Sequence, residues 1–250
     1  MNDFYQKMTQ ARGSFSGTTL LQARGEVGGF RHVFVSLAGP KIGVMYPISG
    51  GILKNPFKGT AKVYAADLVE YKPNGECYIL KTYEVADGVL ESAVKVKIAS
   101  GKCKNGEVFR HIPFVGDNLM VAPETLDGAG TAVTVTAVTN TYAADGKQDG
   151  WEITLSSTLG ALSKGTILVE ASRAGSSVKP MVTNPNCYLD HDYDFIFNPA
   201  TGDEDFDGAR YFFTPVLMEN REYAYIDRMQ PLPKSILALN TSKVEGWFKL

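Results

Sequence analysis

The clearest alternation of apolar and polar residues lies between Thr131 and Ala171. Its first part, around Val133, alternates valine and threonine with the period of two that is typical of a half-buried strand rich in β-branched residues. The polar loop at residues 144–150 contains two Asp-Gly pairs and separates this strand from a second one at Trp151–Leu155. A third strand is predicted at Thr166–Glu170. The segment therefore predicts the core of a small meander or barrel, without a helix.

A second hairpin is predicted upstream. Thr60–Tyr71 and Glu76–Val85 are strand-like stretches joined by the turn Pro73–Gly75, whose glycine can adopt a positive φ. Ala93–Ile98 alternates strictly and predicts another strand. Glu107–Val115 predicts one more, which its proline either ends or confines to a sheet edge.

Helical patterns are scarce. Ala86–Ser92 is a short candidate, and Lys234–Leu239 predicts one or two helical turns after two prolines. Tyr211–Met218 and Glu222–Ile226 predict two aromatic-rich strands. The tail Val244–Leu250 ends on apolar side chains, which we expect to dock in the protein's own core or on a partner.

The N-terminal region is rich in glycine. Nine glycines lie between Gln10 and Gly51, and each costs roughly 1 kcal/mol in the interior of a helix. The pattern therefore predicts an extended arm with brief apolar runs, such as Phe30–Val35. We expect its apolar side chains to pack on a neighbouring molecule or on the main body. These side chains are Phe15, Leu20, Leu21, Phe30 and Phe34.

These patterns predict an all-β fold. We expect a β-meander or β-sandwich body with a small β-barrel-like domain, an extended N-terminal arm and long loops. The predicted regions are a glycine-rich arm at residues 1–54, a β-hairpin or meander domain at 55–125, a small barrel-like domain at 126–175, and a loop-rich β segment with a docking tail at 176–250.

Composition and charge argue against several function classes. The chain of 250 residues is 44% hydrophobic, which suffices for a core, and its 25 basic and 27 acidic residues give no excess that would hold nucleic acid. No stretch approaches the ~18 apolar residues of a membrane span, and the first residues lack the basic start and apolar run of a signal peptide. We therefore expect a soluble protein, made in a cytoplasm, that binds neither nucleic acid nor membrane.

Motifs for nucleophiles, disulfides and phosphates are absent from the sequence. Cys77, Cys103 and Cys187 are far apart and have no CxxC spacing, so we expect free and mostly structural thiols. The paired glycines at 28–29 and 50–51 lie outside any phosphate-loop motif, and strands and turns explain them better. No Gly-x-Ser-x-Gly elbow occurs.

One acidic cluster resembles a calcium loop. Asp203, Asp205 and Asp207 alternate before Gly208, as in the opening half of an EF-hand loop. The position of the closing glutamate is Thr214, which lies in a predicted strand, and no helical pattern flanks the loop. A solvated acidic turn is therefore the favoured interpretation, with a bound calcium ion as the alternative.

A second cluster contains a histidine. Asp190, His191 and Asp192 could supply metal ligands or an acid–base pair. Adjacent residues of an extended chain point to opposite faces, however, and His32 and His111 have no spacing that would complete a set. We interpret the cluster as surface or interface. The sequence predicts no catalytic residue, no metal or cofactor site and no enzyme activity.

Aromatic residues leave one alternative open. The 12 tyrosines and 13 phenylalanines could form a stacking face for sugars or bases, but in a β protein they are more often core residues and cross-strand pairs.

Several segments also resemble phage virion proteins. Segments similar to head-fibre and auxiliary capsid (decoration) proteins of tailed bacteriophages are residues 132–138, 151–155 and 162–171 and the following Lys179-Pro180. Segments similar to virion proteins of crAss-like phages of gut Bacteroidales are residues 55–61, 111–117 and 203–210. The resemblance spans most of Asn55–Leu250 and consists of turn and strand signatures.

This resemblance implies a structural virion protein that binds the major capsid protein and other head or fibre proteins. The expected location is the capsid surface of the virion, after synthesis in the cytoplasm of the host bacterium. Such proteins are commonly homotrimers, and the absence of coiled-coil heptads implies that a trimer is held by β surface. A carbohydrate- or receptor-binding module on the virion surface is the alternative expectation.

Overall fold

A computed structural model describes residues 51–55, 60–101, 110–189, 193–196, 212–213, 216–217, 224–225, 229–238 and 248–249. Within these residues the chain forms strands and a single four-residue helix, α1 (Lys234–Leu237), so the predicted all-β class is confirmed. The strands are β1 (Gly51–Leu53), β2 (Thr60–Val63), β3 (Leu68–Tyr71), β4 (Glu76–Ile79), β5 (Thr82–Glu84), β6 (Lys95–Ala99), β7 (Asn118–Val121), β8 (Gly130–Tyr142), β9 (Gln148–Leu155), β10 (Ile167–Glu170), β11 (Gly175–Val178), β12 (Cys187–Tyr188), β13 (Tyr193–Ile196), β14 (Phe212–Phe213), β15 (Val216–Leu217), β16 (Ala224–Tyr225) and β17 (Phe248–Lys249).

The larger sheet has seven strands and is called the rolled sheet here. Its order is β5-β10-β7-β8-β9-β6, with β11 beside β8, and all of its pairs are antiparallel. Its two end strands approach each other, because Val85, directly after β5, forms an isolated bridge with Ile98 of β6. Among the described residues, a single bridge therefore joins the two ends of the rolled sheet. The sheet is not a barrel closed by a continuous ladder of hydrogen bonds.

The smaller main sheet has six strands in the order β14-β1-β4-β3-β12-β15. Its pairs are antiparallel except for β1 and β4, which run parallel. Two further pairs, β2 with β13 and β16 with β17, complete the described strands.

Three apolar clusters fill the body. One lies inside the rolled sheet and includes Leu119, Val133 and Leu168, whereas their neighbours Met120, Ala132 and Val169 belong to a cluster shared with Leu68 and Tyr188 of the six-stranded sheet. Adjacent residues take part in different clusters because successive side chains of a strand point to opposite faces. The shared cluster therefore packs the two sheets together. The third cluster, around Cys77 and Cys187, lies on the six-stranded sheet.

The three strands predicted within residues 131–171 are formed, but their order in the sheet differs from the predicted one. β8, β9 and β10 occupy the three predicted stretches. β10 does not follow β9 in a meander, however, since it pairs with β5 and β7. Strands from both sides of the boundary predicted between residues 125 and 126 thus pair in one sheet, and the domain division itself stays a prediction.

Two other predicted elements are not formed. Residues 110–115, the described part of the strand predicted at Glu107–Val115, are irregular, because Pro113 and the turn Phe114–Asp117 break the strand. The short helix predicted at Ala86–Ser92 is absent as well, since Val89 exchanges two backbone hydrogen bonds with Leu162. The helical turn predicted from Lys234 is confirmed as α1.

Residues 51–53, which the sequence assigned to the N-terminal arm, form β1. Residues 1–50 of the predicted arm lie outside the described residues. No helix in the described part of the chain is both long and apolar enough to span a membrane.

Candidate functional site

A buried polar group surrounds His111. Its Nε2 lies 2.8 Å from Oδ2 of Asp67, and both side chains are buried. The backbone N–H of Thr82 donates to His111 Nδ1 at 3.4 Å. Because Nδ1 accepts a hydrogen bond, the ring proton belongs on Nε2, where it is donated to the carboxylate.

This group joins separate parts of the fold. The backbone N–H of His111 donates to Oε1 of Gln230 at 3.0 Å, and the guanidinium of Arg110 donates to the carbonyl of Met229. The loop that contains Arg110 and His111 therefore binds three separate elements. These are the turn between β2 and β3, strand β5 and the segment before α1. With both ring nitrogens engaged and no solvent exposure, His111 acts as a structural joint and does not face a substrate.

A second buried group stabilises the contact between the two sheets. Glu170 accepts from Lys81 Nζ at 3.2 Å and from Asn55 Nδ2 at 2.7 Å. Asn55 also exchanges hydrogen bonds with the backbone of Ile79. Burial raises the pKa of the Glu170 carboxyl in spite of these donors, and the nearby Asp117 adds to the rise. The charged groups of Lys81 and Glu170 therefore bind each other inside the protein.

Asp117 shapes the loop that precedes β7. Its Oδ2 accepts from the backbone N–H of Phe114 at 2.9 Å and from the hydroxyl of Tyr83 at 3.4 Å. Burial raises the pKa of Tyr83 well above its ordinary value, so this hydroxyl remains a donor. The tight turn ends at Gly116, whose φ of 95° favours glycine. The turn holds residues 112–115 beside β8.

Strand β8 leaves part of one edge without a strand partner among the described residues. On the side of β9 it is paired along residues 135–142. On the side of β7, pairing covers residues 132–134 and ends at Val135, which exchanges backbone hydrogen bonds with Gly116 and Asp117. We call residues 136–142 on this side the β8 edge. The register shift between Val135 and Ala137 lies where this edge begins.

An apolar groove runs beside the β8 edge. Its volume is about 370 Å³, and no lining side chain carries a charge. Trp151 lies in β9 opposite Asn140, while Val115 is 53% exposed. We call this cavity the edge groove; its lining residues are Ile112, Pro113, Phe114, Val115, Val138, Asn140 and Trp151.

The β8 edge lacks the usual protection of exposed strands. Natural edge strands are commonly blocked by charged residues, above all lysine, or by proline. Residues 130–144 contain no charged residue and no proline. Tyr142, at the end of the edge, is 61% exposed. An uncharged edge beside an apolar groove is the arrangement that accepts an added strand from another polypeptide.

The sequence does not predict this surface. The uncharged run at 130–144 was part of a predicted strand and is the one sequence signal for it. The edge groove could not be inferred, because residues 112–115 were assigned to a strand of their own.

Most residues of the predicted clusters lie outside the described residues. This holds for His32, Cys103, the group Asp190, His191 and Asp192, and the acidic residues Asp203, Asp205 and Asp207. Among the described residues, no three or more histidine, cysteine or acidic side chains are grouped to hold a metal ion.

Cys77 and Cys187 are free thiols, as the sequence predicted. Burial raises the pKa of each to about 12, so the reactive thiolate is scarce at neutral pH.

In comparisons with known proteins, no protein-family model matches this chain, and no curated protein sequence matches it.

Proposed function

We propose that the chain is a homo-oligomeric structural virion protein, an auxiliary capsid or head-fibre component of a tailed bacteriophage, which binds and stabilises the capsid shell. The resemblance of residues 132–138 and 162–171 to head-fibre and decoration proteins motivates the proposal. The observation that carries it is the β8 edge with the edge groove, a surface whose chemistry suits another polypeptide.

The placement of the charged groups supports the same proposal. Asp67, Lys81 and Glu170 are buried or nearly buried and take part in hydrogen bonds between distant parts of the chain. A buried charge whose partner is removed costs about 3–5 kcal/mol, so such groups stabilise a rigid body. A rigid body with an uncharged contact edge suits a protein that works by binding.

Binding alone explains how such a protein would stabilise a shell. A protein that binds the assembled shell more tightly than free capsid subunits shifts the assembly equilibrium by its differential affinity. At a free concentration one hundred times the Kd, one bound site contributes about 2.7 kcal/mol. No chemical step is needed.

The direct test is co-sedimentation of the purified full chain with shells assembled from the major capsid protein of the phage that encodes it. We expect saturable binding to shells, weaker binding to unassembled capsid subunits, and a higher melting temperature of decorated shells. A chain that stays in the supernatant at concentrations well above the Kd range of stable complexes contradicts the proposal. The same mixture without shells controls for self-association.

A further inference from the structure

An amine, a carboxamide and a carboxyl group meet in the buried contact between the two sheets. Oε1 of Glu170 lies 3.2 Å from Nζ of Lys81, and Oε2 accepts from Nδ2 of Asn55 at 2.7 Å. Asn55 is 4% exposed and Lys81 is 2% exposed, while the Glu170 side chain is 12% exposed. One carboxyl group therefore contacts both the amine and the carboxamide in a place that water hardly reaches.

We propose that Lys81 and Asn55 form an intramolecular isopeptide bond and that Glu170 catalyses its formation by transferring protons. The bond joins the residues that follow β1 to the segment between β4 and β5. The reaction takes place once in each folded chain. This inference goes beyond the proposed function and does not depend on it.

The nucleophile is Nζ of Lys81. An ammonium group cannot attack a carbonyl carbon, so Nζ must first lose a proton. Glu170 is placed to accept it, and this transfer converts two buried charges into two neutral groups. Burial raises the pKa of the Glu170 carboxyl, which favours the neutral acid. The amine that results sits on a flexible four-carbon stem, which lets it turn toward Asn55.

The electrophile is Cγ of Asn55, whose amide is held in a fixed orientation. Its Oδ1 accepts from the backbone N–H of Ile79 at 2.9 Å, and its Nδ2 donates to the backbone oxygen of Ile79 at 2.8 Å. The N–H donor stabilises the negative charge that develops on Oδ1 during the attack. Nδ2 is the leaving nitrogen, and its contact with Glu170 lets the carboxyl group protonate it.

The residue after Asn55 closes a competing reaction. An asparagine side chain can cyclise with the backbone nitrogen of the next residue and so lose its amide nitrogen. Here the next residue is Pro56, which has no backbone N–H to react. The amine of Lys81, which shares the carboxyl partner of Asn55, is therefore the nucleophile that the structure provides.

The reaction balances without a further reagent. The Nζ–Cγ bond forms and the Cγ–Nδ2 bond breaks, so that Nδ2 leaves as ammonia. Of the three protons on the Nζ ammonium, one stays on the new amide and one completes the ammonia. The third remains on the Glu170 carboxyl or leaves with the ammonia as an ammonium ion. Nothing is oxidised or reduced.

The bond changes how the chain bears load. It closes a covalent loop from Asn55 to Lys81 that contains β2, β3 and β4. Tension applied to the chain before Asn55 passes through the new amide to Lys81, so the loop carries none of it. The crosslink also reduces the entropy of the unfolded chain and thereby stabilises the folded state.

The first test is the mass of the purified full chain and of its tryptic peptides. The bond lowers the intact mass by one ammonia, about 17 Da. Trypsin should release a branched peptide that joins residues 55–58 to residues 63–95, because Lys72 precedes a proline and a modified Lys81 is not cleaved. An intact mass equal to that of the sequence would overturn the inference.

The branched peptide separates the bond from other losses of ammonia. A succinimide at Asn74-Gly75 would lower the mass equally, but it would leave residues 55–58 as a separate peptide. A loss of ammonia without the branched peptide would therefore also overturn the inference.

Two substitutions test the roles of the side chains. Lys81→Arg keeps the positive charge but removes the amine nucleophile, and Glu170→Gln keeps hydrogen-bonding groups but cannot carry the proton. We expect both variants to keep the full mass of their sequences. Lys95→Arg, at an exposed lysine paired with Glu152, is the matched control and should still lose ammonia.

The outcomes decide each part of the inference. The branched peptide at wild-type yield in Glu170→Gln would overturn the catalytic role of Glu170. If a variant does not fold, the wild-type peptide still decides whether the bond forms. Shell binding does not enter these measurements, so they can fail or succeed independently of the proposed function.

Discussion

At the scale of single residues, the structure uses its buried ionisable groups to connect parts that are distant in sequence. His111 contacts Asp67, Thr82 and Gln230, which lie 44, 29 and 119 positions away. Neither hydrophobic periodicity nor motif spacing reveals contacts between residues so far apart in the sequence. The sequence therefore did not predict which residues His111 contacts. Alternation reports burial more directly: in the alternating stretches around Val133 and at Ala93–Ile98, Val133, Val96 and Ile98 are buried.

Glu170 yields a prediction about pH. Burial raises the pKa of its carboxyl from the ordinary value of 4.5, so the folded state holds this proton more tightly than the unfolded state. The resulting stabilisation is present below the unfolded pKa and is lost as pH rises through the folded pKa. Relative to Glu170→Gln, the wild-type free energy of unfolding should therefore fall as pH rises through this window.

The measurement is urea denaturation of both proteins at several values from about pH 4 to about pH 7. Glu152→Gln, at a half-exposed carboxylate, controls for the loss of one charge at the surface. A difference between wild type and Glu170→Gln that does not change with pH would show that the pKa of Glu170 is not raised.

At the scale of elements, the sequence predicted where strands lie better than which strands pair. The hairpin predicted across residues 60–85 is formed only by β3 and β4, whereas β2 and β5 pair with β13 and β10. The first break is the turn at Tyr64–Asp67, where Ala66 has a φ of 67° and the Asp67 carboxylate accepts from the N–H of Tyr64. A positive φ at alanine is rare, so the sequence gives no warning of it.

The same limit explains why the candidate site was missed. The uncharged character of residues 130–144 is visible in the sequence, but the part of the edge left unpaired among the described residues depends on where β7 begins. That point is fixed by the turn Phe114–Asp117 and by the Asp117 carboxylate, which are tertiary features. Composition shows that a strand carries no charge or proline, and only the fold shows which of its edges has no strand partner in the described part of the chain.

Gly150 yields a prediction about the pairing of β6 with β9. A Cβ atom at this position would overlap the backbone oxygen of Ile98, so alanine must push the two strands apart. We expect Gly150→Ala to lower the free energy of unfolding by about 1–3 kcal/mol, as overpacking does. The check is the urea midpoint of the variant against wild type.

Gly88→Ala is the matched control. Its added Cβ would meet only the Leu162 oxygen, at the ordinary contact distance of 3.8 Å. Both substitutions restrict the unfolded chain equally, by about 0.4–1 kcal/mol, so this contribution cancels in the comparison. Equal midpoints for the two variants would mean that β6 and β9 adjust to alanine without loss.

At the scale of the whole molecule, the apolar cluster between the sheets determines how many units unfold. Leu68 and Tyr188 of the six-stranded sheet pack in the same cluster as Met120 and Val169 of the rolled sheet. The Lys81–Glu170 pair and the hydrogen bonds of His111 connect the same two sheets. Many contacts across one interface favour a single cooperative transition.

Leu68→Ala tests this cooperativity. Leu68 is 2% exposed, and truncating a buried leucine costs about 2–5 kcal/mol. If the body unfolds as one unit, the most protected amides of β9 in the rolled sheet should exchange hydrogen faster by the same factor as those of β3 and β4. A loss of about 3 kcal/mol corresponds to a factor of more than one hundred. Hydrogen exchange with mass spectrometry measures both sheets in one experiment, and Leu90→Ala at an exposed position is the control. Wild-type exchange in β9 together with faster exchange in β3 and β4 would mean that the sheets unfold separately, as independent domains do.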